Sequence, residues 1–184
     1  AFVEATGYVT FAEIAPRAED YPDALPHMLQ PGSMVFRPPP GPVDLRDWSQ
    51  WWEFCFGADW RHPYGPQSSI DGLGDHPVVH VCHQDAEAYA KWAGKDLPTE
   101  AGWEFAARGG LEDTEFAWGD ELEPGGRQMA NTWQGAFPHE NLKLDGYERT
   151  SPVRTYPANS FGLYDLIGNV WEWTRDWYAP KHPN

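Results

Sequence analysis

The stretch Gly162-Leu163-Tyr164-Asp165-Leu166-Ile167-Gly168-Asn169-Val170-Trp171-Glu172-Trp173-Thr174 decides how this chain is read. Asp165 and Glu172 flank a Gly-Asn turn signal, and Trp171, Trp173 and Trp177 crowd its end. A hard cation such as calcium takes carboxylate and carbonyl oxygens. The side chains of Asp165 and Glu172 with the carbonyls of Gly168 and Val170 therefore form a candidate ligand set. The same residues are equally compatible with Asp165 capping a turn and Glu172 facing water. If the end of the run is a strand, its alternation puts Trp171 and Trp173 on one face and Val170 and Glu172 on the other.

Working outward, Asn131-Thr132-Trp133-Gln134-Gly135 and Asp145-Gly146-Tyr147 offer a second group of oxygens. Asn131 and Asp145 supply side-chain oxygens, and the irregular backbone beside them supplies carbonyls, again a calcium menu. Asx-turns would use the same residues without a metal. A third cluster, His76, His80, Cys82, His83 and Asp85, holds zinc or copper ligand types, but no second cluster completes four ligands. His80 is read as a hydrogen-bonded core residue instead. Neither Cys55 nor Cys82 has a neighbouring cation or other mark of thiolate activation.

Between these motifs the chain is turn-rich. Residues 1–15 read as a short helix punctuated by Gly7, and residues 16–50 as a long Pro/Gly excursion with a short strand at Ser33–Arg37. Pro77–Cys82 reads as a strand. The clearest helix is Gln84–Ala93, ended by Gly94. A second helix, Glu100–Arg108, has Thr99 as its N-cap and Gly109-Gly110 as its stop. Gly102 occupies the capping-box position where Glu is expected. Beyond residue 111 the pattern predicts turns and short strands only.

The chain has 184 residues, 41% of them hydrophobic, which fits one domain with a core rather than a disordered segment. Eleven Trp, with eighteen Gly and eighteen Pro, predict many turns and a core built largely on aromatics. The net charge of −15 argues against a nucleic-acid partner. No apolar run has the length of a membrane span. Two cysteines do not make a disulfide scaffold. With no signal segment visible, the expected compartment is a prokaryotic cytoplasm. The chain opens inside an amphipathic segment and stops just after the Trp-rich run, so it reads as the core of a longer protein.

The ordered motifs together resemble the formylglycine-generating enzyme family, the sulfatase-modifying factors. The resemblance runs through Ala5-Thr6-Gly7-Tyr8-Val9-Thr10, Trp51-Trp52, Gly57-Ala58-Asp59-Trp60-Arg61-His62-Pro63 and His76–Val81. It continues through Tyr89–Lys95, Leu97-Pro98-Thr99-Glu100, Trp103–Gly110, Trp118-Gly119, Ala130-Asn131, Trp133-Gln134-Gly135, Asp145-Gly146 and the Gly162–Thr174 run. It implies a single, partial α+β domain over 1–184, distantly like C-type lectins, with little regular secondary structure. It implies two structural calcium sites. The first uses the side chains of Asn131 and Asp145 with the carbonyls of Thr132 and Tyr147. The second uses Asp165 and Glu172 with the carbonyls of Gly168 and Val170.

The resemblance also implies an oxidoreductase that converts the cysteine of a Cys-X-Pro-X-Arg segment in an unfolded sulfatase polypeptide to formylglycine, using oxygen and copper. Trp51 and Trp171 are implied to lie at the substrate groove. The family's copper-holding cysteine pair lies beyond the Trp-rich run, and neither Cys55 nor Cys82 matches it. No catalytic residue is therefore assigned within these residues, and the 184 residues alone are expected to be inactive. The alternatives within the superfamily are a non-catalytic, calcium-stabilised binding domain and the domain of an iron-dependent sulfoxide synthase.

Overall fold

Proline, glycine and aromatics dominate the chain, and its regular elements are accordingly few and short. The computed structural model describes residues 1–177. Contacts divide the chain into two units, the first made of Ala1–Gly74, Val78–Ala93 and Gln134–Leu142, the second of Asp75–Pro77, Gly94–Trp133 and Lys143–Asn184. Each is taken in turn.

The first unit holds helix α1 (Phe2–Thr6), strands β1 (Gly32–Phe36) and β2 (Trp52–Phe56), and helix α2 (His83–Trp92). The strands pair antiparallel from Gly32 opposite Phe56 to Phe36 opposite Trp52. Val35 and Phe36 of β1 and the three aromatics of β2 suit a pleated, half-buried surface. Prolines 38–40 end β1 because they lack ladder donors. Gly32 is required by packing, since a Cβ there would lie 2.4 Å from the Cys55 carbonyl oxygen. Val35 is buried at the centre of the pair. β1 matches the expected strand within one residue, whereas β2 carries its aromatics at alternate positions 52, 54 and 56 and is a strand the sequence reading does not include.

Helix α2 begins one residue earlier than expected. Asp85 accepts from the backbone N–H of Cys82 at 2.8 Å, closing the first turn. The same carboxylate, only 4% exposed, accepts from the Tyr8 hydroxyl at 3.0 Å and the Phe11 N–H at 3.1 Å. A helix cap is thus also the anchor of the N-terminal segment. Burial first, and then the adjacent Asp85, push the Tyr8 hydroxyl up to about 12. Phe2 completes the anchor by packing its ring against Tyr8, Tyr89 and Trp92.

The expected strand over Pro77–Cys82 does not form. His80 sits at φ 58°, a left-handed conformation that breaks an extended ladder. Its ring bridges Ser33 Oγ at 2.9 Å and the Pro63 carbonyl at 2.8 Å. A carbonyl only accepts, so the proton belongs on Nε2 and Nδ1 accepts from Ser33. His80 is hydrogen-bonded as expected, but it is half-buried rather than core, and its backbone is not that of a strand.

In the second unit helix α3 (Glu100–Arg108) has the expected bounds. Thr99 Oγ1 accepts from Gly102 N at 3.0 Å. The capping-box glutamate is absent, and Asp176 instead accepts from the N–H of Glu100 at 2.8 Å, placing a carboxylate at the positive end of the helix. The C-terminal end is closed from outside the helix. Gly109 is left-handed at φ 57°, Asn159 Nδ2 donates to the carbonyls of Ala106 at 2.6 Å and Ala107 at 3.3 Å, and the Ser160 hydroxyl donates to Gly109. Among the described residues, no helix is long and apolar enough to cross a membrane.

The strand expected at the Trp-rich end is also absent among the described residues. Residues 170–173 belong to no strand there. The two preceding residues, Gly168 (φ 77°) and Asn169 (φ 61°), both turn left-handed. Trp171 and Trp173 therefore do not share the face of a strand.

Candidate functional site

The oxygen-rich loops of the second unit converge on Asn131, which is 9% exposed. Its Nδ2 donates to the Arg149 carbonyl at 2.7 Å and to Asn169 Oδ1 at 3.3 Å. Those acceptors fix the amide through its nitrogen, and its oxygen is the atom a cation would use. Next to it, Asp145 accepts from the N–H of Thr132 at 3.0 Å through Oδ2 and from the N–H of Tyr147 at 3.0 Å through Oδ1. One carboxylate thereby stitches the 131–132 loop to the 145–147 turn, which Gly146 bends at φ 94°. Of the four residues expected at the first calcium site, Thr132, Asp145 and Tyr147 share one carboxylate, and Asn131 adjoins them in the chain.

The residues expected at the second site are held by separate partners. Asp165, left-handed at φ 57°, accepts from Arg154 N at 2.6 Å through Oδ2. Its Oδ1 is buried and has no hydrogen-bond partner. An unsatisfied buried carboxylate oxygen costs several kcal/mol on general grounds, and a cation against it removes that cost. Asp165 also borders a cavity of about 270 Å³ that Trp118, Met129, Tyr156 and Leu163 help to line. Glu172 is exposed and accepts from Trp103 Nε1 at 3.0 Å. Gly168 is pressed on the first loop, since a Cβ on it would lie 2.3 Å from the Asn131 carbonyl oxygen.

The field around the loops is negative. Tyr156 donates to the Asp145 carbonyl at 3.4 Å. Its hydroxyl is pushed up to about 12, first by burial and then by the charges of Asp145, Tyr147 and Asp165. Oxygen donors, an orphaned carboxylate and a negative field fit a hard divalent cation. These donors do not suit copper(I), which prefers soft thiolates. Cys55 and Cys82 are free thiols of the first unit. Burial raises the Cys82 thiol, which leaves it a poor thiolate ligand. No three His, Cys, Asp or Glu side chains converge among the described residues. The zinc or copper cluster considered at 76–85 therefore does not form; His76 bonds Thr150 Oγ1 at 2.9 Å, and His80 and Asp85 are spent on the packing described above.

The two tryptophans expected at the groove differ in exposure. Trp51, in the first unit, is only 8% exposed and packs edge-on against Phe137 with ring centroids 5.4 Å apart. Trp171, in the second, is 98% exposed. Sequence reasoning missed Asn169 and Ser151 as functional neighbours. The Gly-Asn turn signal marks Asn169, but its partners lie at 131 and 151, out of reach of any local pattern.

The family model described as a sulfatase-modifying factor enzyme 1-like domain matches residues 1–183. The chain belongs to that family. A formylglycine-generating enzyme from Mycobacterium tuberculosis is 58% identical to this sulfatase-modifying factor enzyme 1-like domain over 181 residues, 98% of the chain and 60% of that protein. An inactive C-alpha-formylglycine-generating enzyme 2 from Mus musculus is 49% identical over 131 residues, 71% of the chain and 42% of that protein. Among solved structures, PvdO from Pseudomonas aeruginosa aligns with a TM-score of 0.51 at 24% identity, covering 97% of this chain and 52% of that one, a likeness of fold. The domain thus spans about 60% of the length of the first relative. Its α+β fold, with short helices and one two-stranded sheet among the described residues, is the low-regularity architecture the motifs imply.

Proposed function

We propose that the protein containing this chain oxidises the cysteine of a Cys-X-Pro-X-Arg segment in an unfolded sulfatase polypeptide to formylglycine, with molecular oxygen as oxidant. The observation that carries this reading is the 58% identity to a formylglycine-generating enzyme across nearly the whole chain. Copper(I), when bound, supplies oxygen activation, and it is held by thiolates other than Cys55 and Cys82. The 184 residues supply scaffold, part of the substrate groove at Trp51 and Trp171, and two structural calcium loops. One loop uses Asn131, Thr132, Asp145 and Tyr147, and the other uses Asp165, Gly168, Val170 and Glu172. The buried, unpartnered Asp165 Oδ1 supports the calcium assignment.

The test incubates the full-length protein with copper(I), oxygen and a peptide bearing Cys-X-Pro-X-Arg, and follows the thiol-to-aldehyde conversion by mass spectrometry. Conversion is expected, unchanged when Cys55→Ser and Cys82→Ser are combined, and absent with the 184 residues alone. Loss of conversion in the double variant would return those thiols to the chemistry. A second reading, a calcium-stabilised binding domain without catalysis, is favoured by the similarity to a relative named as inactive. Absence of aldehyde from the full-length protein would select it.

A further inference from the structure

The two oxygen-rich loops are not independent in the fold. Asn169 follows Gly168, whose carbonyl belongs to the second loop, and its backbone N–H donates to the carbonyl of Asn131 at 2.8 Å. Its side-chain oxygen accepts from Ser151 N at 2.9 Å and from the Asn131 amide at 3.3 Å. Its side-chain nitrogen donates to the Ser151 carbonyl at 3.1 Å. Ser151 is fully buried, so the clasp closes on a fixed point of the chain. Asn169 adopts φ 61°, which asparagine tolerates better than most residues. The absence of a Cβ on Gly168 lets the two backbones touch.

This geometry gives Asn131 and Gly168 a shared mechanical link. A cation that draws the Asn131 oxygen inward also sets the peptide that presents the Gly168 carbonyl. We propose that Asn169 is a positioning residue that couples the two loops, so that filling one raises the calcium affinity of the other. The inference rests on the calcium reading above. Coupling requires two arrangements of the clasp, and each site biases them in the same direction.

Calorimetric titration of calcium into the metal-stripped full-length protein tests it. Glu172→Ala disables the second loop and leaves the first to be read alone. In that variant the first-loop Kd is expected to weaken about 5-fold or more, the lower end of ordinary site-to-site coupling. In the Asn169→Gly background, which keeps a left-handed backbone, the same Glu172→Ala change is expected to leave the first-loop Kd unmoved. A clasp that only stabilises the fold would lower the melting temperature without removing this dependence.

Two wild-type sites whose affinities ignore each other would overturn the coupling and leave the calcium reading intact. A wild-type protein that binds no calcium would overturn both. Should Asn169→Gly fail to fold, amide exchange in Glu172→Ala decides. Calcium at the first loop must slow exchange of the Ser151 and Asn169 N–H groups, and unchanged exchange would overturn the proposal.

Discussion

The Cβ position of Gly168 lies 2.3 Å from the carbonyl oxygen of Asn131, a backbone atom that cannot swing aside. Residues 37 apart in sequence are thereby held in direct backbone contact, and Gly168 is at φ 77° as well. Gly168→Ala combines a left-handed alanine with overpacking, and is expected to cost about 3 kcal/mol. Urea unfolding measures this as a lowered midpoint; a midpoint within error of wild type would show that the 131 loop can move away.

Calcium removal is expected to destabilise the second unit. At free calcium 100-fold above Kd, each site adds about 2.7 kcal/mol. Thermal unfolding in calcium against chelator should show a clear drop in Tm, and Asp165→Asn should shrink it by removing one negative charge from the ligands around the ion. Equal Tm values in both buffers would remove the calcium assignment.

The Asp85 carboxylate accepts from Cys82 N, Phe11 N and the Tyr8 hydroxyl while buried. Asp85→Ala orphans all three donors and is expected to cost about 3 kcal/mol or more. Asp85→Asn should cost less, because its carbonyl oxygen still accepts. Chemical denaturation of the two variants gives the order, and the reverse order would contradict the anchoring role.

Tyr8 and Tyr156 both titrate higher folded than unfolded, at about 12 against a reference of 10.0. The native state then holds protons that the unfolded chain has released. The stability tied to these hydroxyls is full below pH 10 and is lost as pH rises through about 12. Denaturant midpoints measured across that window should fall, and should fall less in Tyr8→Phe and Tyr156→Phe. An unchanged slope in both variants would place the alkaline loss elsewhere.

Asn159 closes helix α3 through the carbonyls of Ala106 and Ala107. Asn159→Ala is expected to cost about 1–2 kcal/mol by removing the side-chain donor from both, which leaves Ala106 with only the longer bond from Gly109 N at 3.3 Å. Circular dichroism at 222 nm through a thermal melt reads the effect, and a melt identical to wild type would assign the capping to Gly109 alone.

Helices α2 and α3 were legible because capping and periodicity are local. Asp85 near one start, Thr99 at the other, and glycines after each end act within a single turn. β1 was legible from Met34-Val35-Phe36 between prolines. The Pro77–Cys82 strand was not, because Val78-Val79 has β-propensity but a ladder needs a partner edge. There His80 turns left-handed to reach Ser33 and Pro63. The Trp171–Trp173 alternation failed for a related reason, with two consecutive left-handed residues before it.

At the candidate site, the residue types were visible and their partners were not. Side-chain chemistry and short spacing make Asn131, Asp145, Asp165 and Glu172 candidate oxygen donors and leave turn capping open for the same residues. The ordered motifs likewise determine the family. Tertiary structure decided which of those oxygens is satisfied and which is orphaned, because hydrogen-bond partners such as Arg154 for Asp165 and Trp103 for Glu172 come from distant segments. It also decided that Asn169 clasps Ser151 and Asn131. Chain order sets which groups exist, whereas only packing in three dimensions sets which backbones touch and which buried charges lack a partner.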